Sequence, residues 1–151
     1  MFFKDELETL TGNIKLFVDM DGVIADFDVG KAKDYDKKRP LKTSIEKLKE
    51  ISQMPNVELY ILSVTRADTG LDEKHTWLDK FAPFFKKENR IIISREANNF
   101  EHSAVLKANY LKELKKDDSI IILIDDDLKI LKQVKEDVPE VILYKDTCLV
   151  D

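Results

Sequence analysis

The chain predicts an α/β fold built on an open, parallel five-stranded sheet with helices on both faces. Two observations carry that prediction: five short runs rich in Ile, Val and Leu, and helical patterns that alternate with them along the 151 residues. The first run, Ile14 to Val18, is apolar with little polar alternation, as a parallel strand covered on both faces should be. Val57 to Leu62, Arg90 to Ile93, Ile120 to Ile124 and Val141 to Tyr144 repeat the pattern. Between them, Leu41 to Met54 carries apolar residues at 41, 45, 48 and 51, the spacing of one helix face. Asp72 to Phe81, Ser103 to Leu114 and Leu128 to Val138 supply three more helices. Pro55-Asn56, Asp117-Asp118-Ser119 and Pro139-Glu140 provide turn chemistry ahead of strands two, four and five.

Composition narrows the function classes. With 43% hydrophobic and 36% charged residues, the chain is expected to form one domain over residues 1–151, with 26–42 as a short loop or flap beside the active site. A net charge of -5 gives no global attraction to a phosphate backbone. The single cysteine, Cys148, excludes an internal disulfide framework and a multi-cysteine zinc site. Charges at Lys4, Asp5, Glu6 and Glu8 interrupt the N-terminal apolar residues, and no stretch is long enough to span a membrane, so a cytoplasmic location is the expectation. The basic segment Lys31 to Arg39 reads either as a solvated surface loop or as a positive rim near an anionic substrate.

In an open α/β sheet, ligands sit beyond the carboxyl ends of the strands, and the polar residues gather there. Strand one runs into Asp19-Met20-Asp21-Gly22, two carboxylates followed by a glycine that lets the chain turn away. Buried like charges repel, and a hard divalent cation is the simplest compensation. Strand two is expected to end at Ser63, whose hydroxyl can donate to a phosphate oxygen. Strand four ends in Asp125-Asp126-Asp127, and Lys107, one helix earlier, can offer an ammonium. Taken singly, these residues have plain explanations as caps or solvated charges; together they converge on phosphoryl chemistry.

The segments LFVDMDGVIADF, ILS, the lysine of VLKANYL, and IILIDDD resemble, in order, the four motifs of the haloacid-dehalogenase-like phosphatases. The likeness runs from Ile14 to about Leu131, and within that superfamily it is closest to the 5'(3')-deoxyribonucleotidase group. Lys74 to Leu78, Phe81 to Phe85 and Arg90 to Arg95 are also similar to that group. Two features depart from it: the segment between the first two motifs is short for a helical cap, and Glu96 to Ser103 is long.

The resemblance implies a Rossmannoid three-layer sandwich with a minimal or absent cap. It also implies a magnesium-dependent phosphatase in which Asp19 is the nucleophile and Asp21 the general acid and base. Ser63 and Lys107 would bind the transferring phosphoryl group; Asp19, Asp21 and Asp125 would hold the metal, with Asp126 as the alternative or a residue orienting bound water. Phe27 could stack on a base or sugar or lie beneath the loop, while Arg66 and Arg95 could meet a second anionic group. His75, His102 and Trp77 are assigned to packing or surface roles. The expected partner is a small phosphorylated molecule, possible nucleotide substrates included; a polynucleotide end or a phosphoprotein is the alternative, with an oligomer able to cover an open site. A receiver-like signalling or degenerate phosphate-binding domain is the non-enzymatic alternative, and the DMDG motif speaks against the receiver.

Overall fold

The computed structural model describes residues 2–27, 35–114 and 116–150. Five parallel strands, β1 (Ile14–Val18), β2 (Val57–Thr65), β3 (Arg90–Ser94), β4 (Ile120–Asp125) and β5 (Ile142–Lys145), lie in the order β3-β2-β1-β4-β5. The central place of β1 explains its unbroken apolar run. Leu16 and Val18 face one helical layer and Phe17 the other, the period of two that a strand imposes.

Helices α1 (Phe3–Thr9), α2 (Lys42–Ile51) and α3 (Thr69–Phe81) bring Phe3, Leu7, Leu48, Ile51, Trp77 and Leu78 against Leu16, Val18, Ile61 and Ile124. On the opposite face, α4 (Ser103–Glu113) and α5 (Leu128–Asp137) pack Ala108, Leu111, Ile130 and Val134 against Phe17, Leu62 and Leu123. The result is the expected Rossmannoid three-layer sandwich, without a cap domain among the described residues. None of the described helices is long and apolar enough to cross a membrane.

Three expectations need correction. Strand two does not end at Ser63 but runs to Thr65, because Ser63, Val64 and Thr65 continue the ladder opposite Ile92, Ile93 and Ser94. Helix α3 begins at Thr69 rather than Asp72. Gly70 belongs to its first turn because a side chain there would strike Thr65; a Cβ would lie 1.9 Å from Thr65 Oγ1. The N-terminal helix α1, unexpected from its charged residues, is anchored by Phe3 and Leu7, four apart and both buried.

After β1 the chain builds outward through β2 and β3, then crosses back to place β4 on the other side of β1. The direction of winding therefore reverses between β1 and β4, which opens a crevice at their carboxyl ends. Asp19 and Asp125 stand at that crevice.

Candidate active site

Asp19 continues the β1 ladder by one residue, its backbone N–H donating to the Ile124 carbonyl at 3.0 Å. This ties its position to β4, whose last residue is the fully buried Asp125. Carboxylate oxygens of Asp19, Asp125 and Asp126 all lie within 4.8 Å of one another. From α4, the Lys107 ammonium enters between two of them, 2.9 Å from Asp19 Oδ1 and 2.7 Å from Asp125 Oδ2.

Burial pushes Asp19 up to about 6 against the pull of Lys107, and burial with the Asp19 charge pushes Asp126 up to about 6. Burial likewise raises Asp125, although Lys107 opposes it. The same burial would lower Lys107, but Asp19 and Asp125 reverse the effect and hold its proton more tightly than usual. Three carboxylates against one ammonium leave an excess negative charge in a poorly solvated crevice. All three offer hard oxygen donors, so the residues fit a divalent cation of the magnesium type.

Gly22 shapes this cluster from the other side. Its φ of 81° is in the left-handed region, and an added Cβ would lie 2.0 Å from Asp126 Oδ2. Only a glycine permits both the turn and that close approach.

Asp21, two residues from Asp19, has opposite surroundings. Lys38 Nζ lies 2.7 Å from its Oδ1 and Lys74 Nζ 3.3 Å from its Oδ2. Burial alone would raise Asp21, but Lys74 and Lys38 outweigh it and hold the carboxylate below its ordinary range. The Lys74 ammonium also donates to Ser63 Oγ at 2.7 Å and to the Val64 carbonyl at 2.9 Å. Burial lowers the Lys74 pKa while Asp21 and Asp19 resist the change. Tyr35 lies between the two lysines, with Lys38 Nζ 4.7 Å and Lys74 Nζ 5.2 Å from its ring centre.

These contacts revise two sequence readings. The basic segment is not simply a solvated loop: residues 31–34 lie outside the described residues, but Lys38 is buried and reaches Asp21. Its backbone carbonyl accepts from Trp77 Nε1 at 3.0 Å, and Arg39 pairs with Asp26 at 2.8 Å. Likewise, nothing in the sequence singles out Lys74, and Lys38 and Tyr35 are marked there only as members of the basic segment. The available signal for Lys74 was its place on the buried face of α3, three residues before Trp77; a charged residue at such a position needs partners.

A cleft of about 570 Å³ opens over Asp19 and Asp21, lined also by Phe27, Lys107, Asp126 and Leu128. Phe27 is 64% exposed and Leu128 66%, so Phe27 does not serve as a core residue beneath the loop. The Arg95 guanidinium donates to the carbonyls of Phe100 and Glu101 and pins its own loop, and Arg95 does not line the cleft. Arg66 is exposed beyond β2 and does not line the cleft. Trp77 packs in the core as expected, His75 lies beside the Arg90–Asp79 pair, exposed His102 precedes α4, and Cys148 packs at the core margin.

No protein-family model matches this sequence, and no curated protein matches it. Among solved structures, a chain from "Structure of Pnkp1/Rnl/Hen1 complex" superimposes with a TM-score of 0.69 at 16% identity. A second, from "Structure of the Pnkp1/Rnl/Hen1 RNA repair complex", does so with a TM-score of 0.68 at 16% identity. The likeness is one of fold. The matches cover 90% and 88% of this chain but only 47% and 42% of the others, so the chain spans less than half the length of the proteins it resembles.

Proposed function

We propose that this protein is a magnesium-dependent phosphatase that hydrolyses phosphomonoesters through an aspartyl-phosphate on Asp19. The carrying observation is the meeting of Asp19, Asp125 and Asp126, with Lys107 bridging the first two and Asp21 two residues from Asp19 between Lys38 and Lys74. Asp19, the Asp21 backbone carbonyl and Asp125 would hold a magnesium ion, with Asp126 as the alternative strand-four donor. The ion would offset repulsion between Asp19 and a dianionic phosphate.

A carboxylate oxygen of Asp19 attacks phosphorus in line, and the bond from phosphorus to the ester oxygen breaks. Asp21 gives its proton to the departing oxygen, then takes a proton from the water that attacks the aspartyl-phosphate, which releases inorganic phosphate and restores Asp19. Two ammonium groups keep Asp21 ionised at rest. The approach of a phosphate dianion adds negative charge beside it and moves it toward the protonated form that the first step requires.

The substrate reading rests on the open cleft with Phe27 and Leu128 at its margin. That shape supports a substrate whose leaving group extends beyond the cleft. A polynucleotide end gains support from the fold likeness to chains of an RNA repair complex, while a nucleoside monophosphate is the smaller alternative. Phosphate release should be measured with and without magnesium on deoxynucleoside monophosphates, sugar phosphates and 3'-phosphorylated oligonucleotides. Metal-dependent release from oligonucleotides above mononucleotides supports the polynucleotide reading, and the reverse order supports a nucleotidase. Inactivity on every class would reject the phosphatase.

A further inference from the structure

We infer that Lys74 is a positioning residue that aims the Ser63 hydroxyl at the phosphoryl group and does not itself bind it. The inference rests on the phosphatase reading only for where the phosphate lies; the rest follows from counting donors. An ammonium has three N–H groups and no acceptor, and those of Lys74 are matched by Ser63 Oγ at 2.7 Å, the Val64 carbonyl at 2.9 Å and Asp21 Oδ2 at 3.3 Å. Lys74 is 3% exposed, so no water-facing donor is held in reserve. Binding phosphate directly would require it to give up one of these partners in a buried setting.

Ser63 has the complementary balance. Ser63 is fully buried just beneath the cleft, next to Val64, which lines it; its oxygen accepts from Lys74, and among the described residues no acceptor takes the hydroxyl proton. A hydroxyl rotates to suit its partners, and an ammonium bound on one side drives its proton to the other. Lys107 is similar, because two of its N–H groups meet Asp19 and Asp125 and one remains. Ser63 and Lys107 therefore keep one O–H and one N–H with unspent donor capacity, Lys107 at the cleft wall and Ser63 beneath it, while Lys74 has none.

Lys74 also links Ser63 to Asp21, so a single side chain sets the hydroxyl and the acid-base carboxylate relative to one another. Such a residue acts through its partners. Its effect should disappear once the partner hydroxyl is gone.

The test is the affinity for inorganic phosphate in the presence of magnesium, measured by calorimetry on wild type, Ser63→Ala, Lys74→Arg, Lys74→Met and the Ser63→Ala/Lys74→Arg double variant. Ser63→Ala should weaken phosphate binding roughly tenfold. Lys74→Arg keeps the charge but replaces a compact ammonium with a planar fork, and should lose a comparable amount. The double variant should bind no more weakly than the poorer single. Lys74→Gln substitutes for Lys74→Met if the latter fails to fold. Wild-type affinity in Lys74→Arg, a loss in the double variant equal to the product of the two single losses, or absent phosphate binding by wild type would overturn the inference. Phosphate binding with the predicted coupling, but no hydrolysis of any monoester, would instead reject the phosphatase reading and leave the role of Lys74 standing.

Discussion

Asp19 and Asp21 are separated by one methionine, yet the structure gives them opposite electrostatic settings. Around Asp19, three carboxylates gather and Lys107 bridges two of them; around Asp21, one carboxylate faces two ammoniums. Burial dominates the first group and raises Asp19 to about 6, whereas lysine charge overcomes burial in the second and lowers Asp21. The first group offers hard oxygen donors in excess of its ammonium, and the second already contains its cations. The proposed mechanism, with a nucleophile beside a metal and an acid-base group beside a leaving oxygen, requires that contrast within a few ångströms.

Removing a cation from the first group should have the largest effect. Lys107→Met leaves Asp19 and Asp125 buried without their ammonium, and should cost about 3 to 5 kcal/mol of stability in magnesium-free buffer. Thermal melts with and without the metal check this, and the loss should shrink when magnesium is added. Next, Asp21→Asn should lower phosphate release about 10²- to 10⁴-fold by removing the proton-transfer group, and should also lower the melting temperature because it leaves the buried Lys38 and Lys74 ammoniums without their carboxylate. A steady-state assay beside a melting curve separates these effects.

The contrast also predicts the direction of pH dependence in the metal-free protein. Asp19 and Asp126, each raised from 3.8 to about 6, retain protons in the folded state that the unfolded chain releases. Their stabilising contribution is complete below about pH 4 and falls as pH rises through 6. Asp21, shifted the other way, contributes stability that is lost as pH falls through its lowered range. Melting temperature in chelator should therefore decline between about pH 4 and pH 6.5, and magnesium should reverse the decline at the upper end. A melting temperature that rises through this window would break the comparison. The smallest change, Gly22→Ala, places a methyl group against Asp126 at a left-handed backbone position and should cost about 1 to 3 kcal/mol while weakening magnesium binding, as melts and metal titration would show.

The same contrast separates what could be read in the sequence from what could not. Asp19, Asp125 and Asp126 follow directly from buried strands, so the period of apolar runs delivers them to one edge of the sheet. Lys107 could be placed because its helix precedes β4. The Asp21 group depends on long-range closure: Lys38 arrives from a 3-10 turn (Tyr35–Lys37) and the residue after it, and Lys74 from the inner face of α3. Neither carries a local pattern that points to Asp21, and a lysine in a basic segment resembles any solvated lysine. Arg95 shows the reverse case. Its position just after a strand suggested substrate contact, but two backbone carbonyls in the following loop claim its guanidinium. The overlong stretch from Glu96 to Ser103 holds those carbonyls, with Asn99 and Phe100 both at a φ of 55°.

The proposed chemistry depends most directly on Asp19 receiving the phosphoryl group. Wild type and Asp19→Asn should be incubated with magnesium and a turnover substrate, quenched with borohydride, and mapped by peptide mass spectrometry. Reduction of an aspartyl-phosphate converts the aspartate to homoserine. Homoserine is expected at position 19 in wild type only, together with at least a thousandfold loss of phosphate release in Asp19→Asn, about 4 kcal/mol in the barrier. Turnover in wild type without modification at Asp19, or substantial activity in Asp19→Asn, would contradict this role of Asp19.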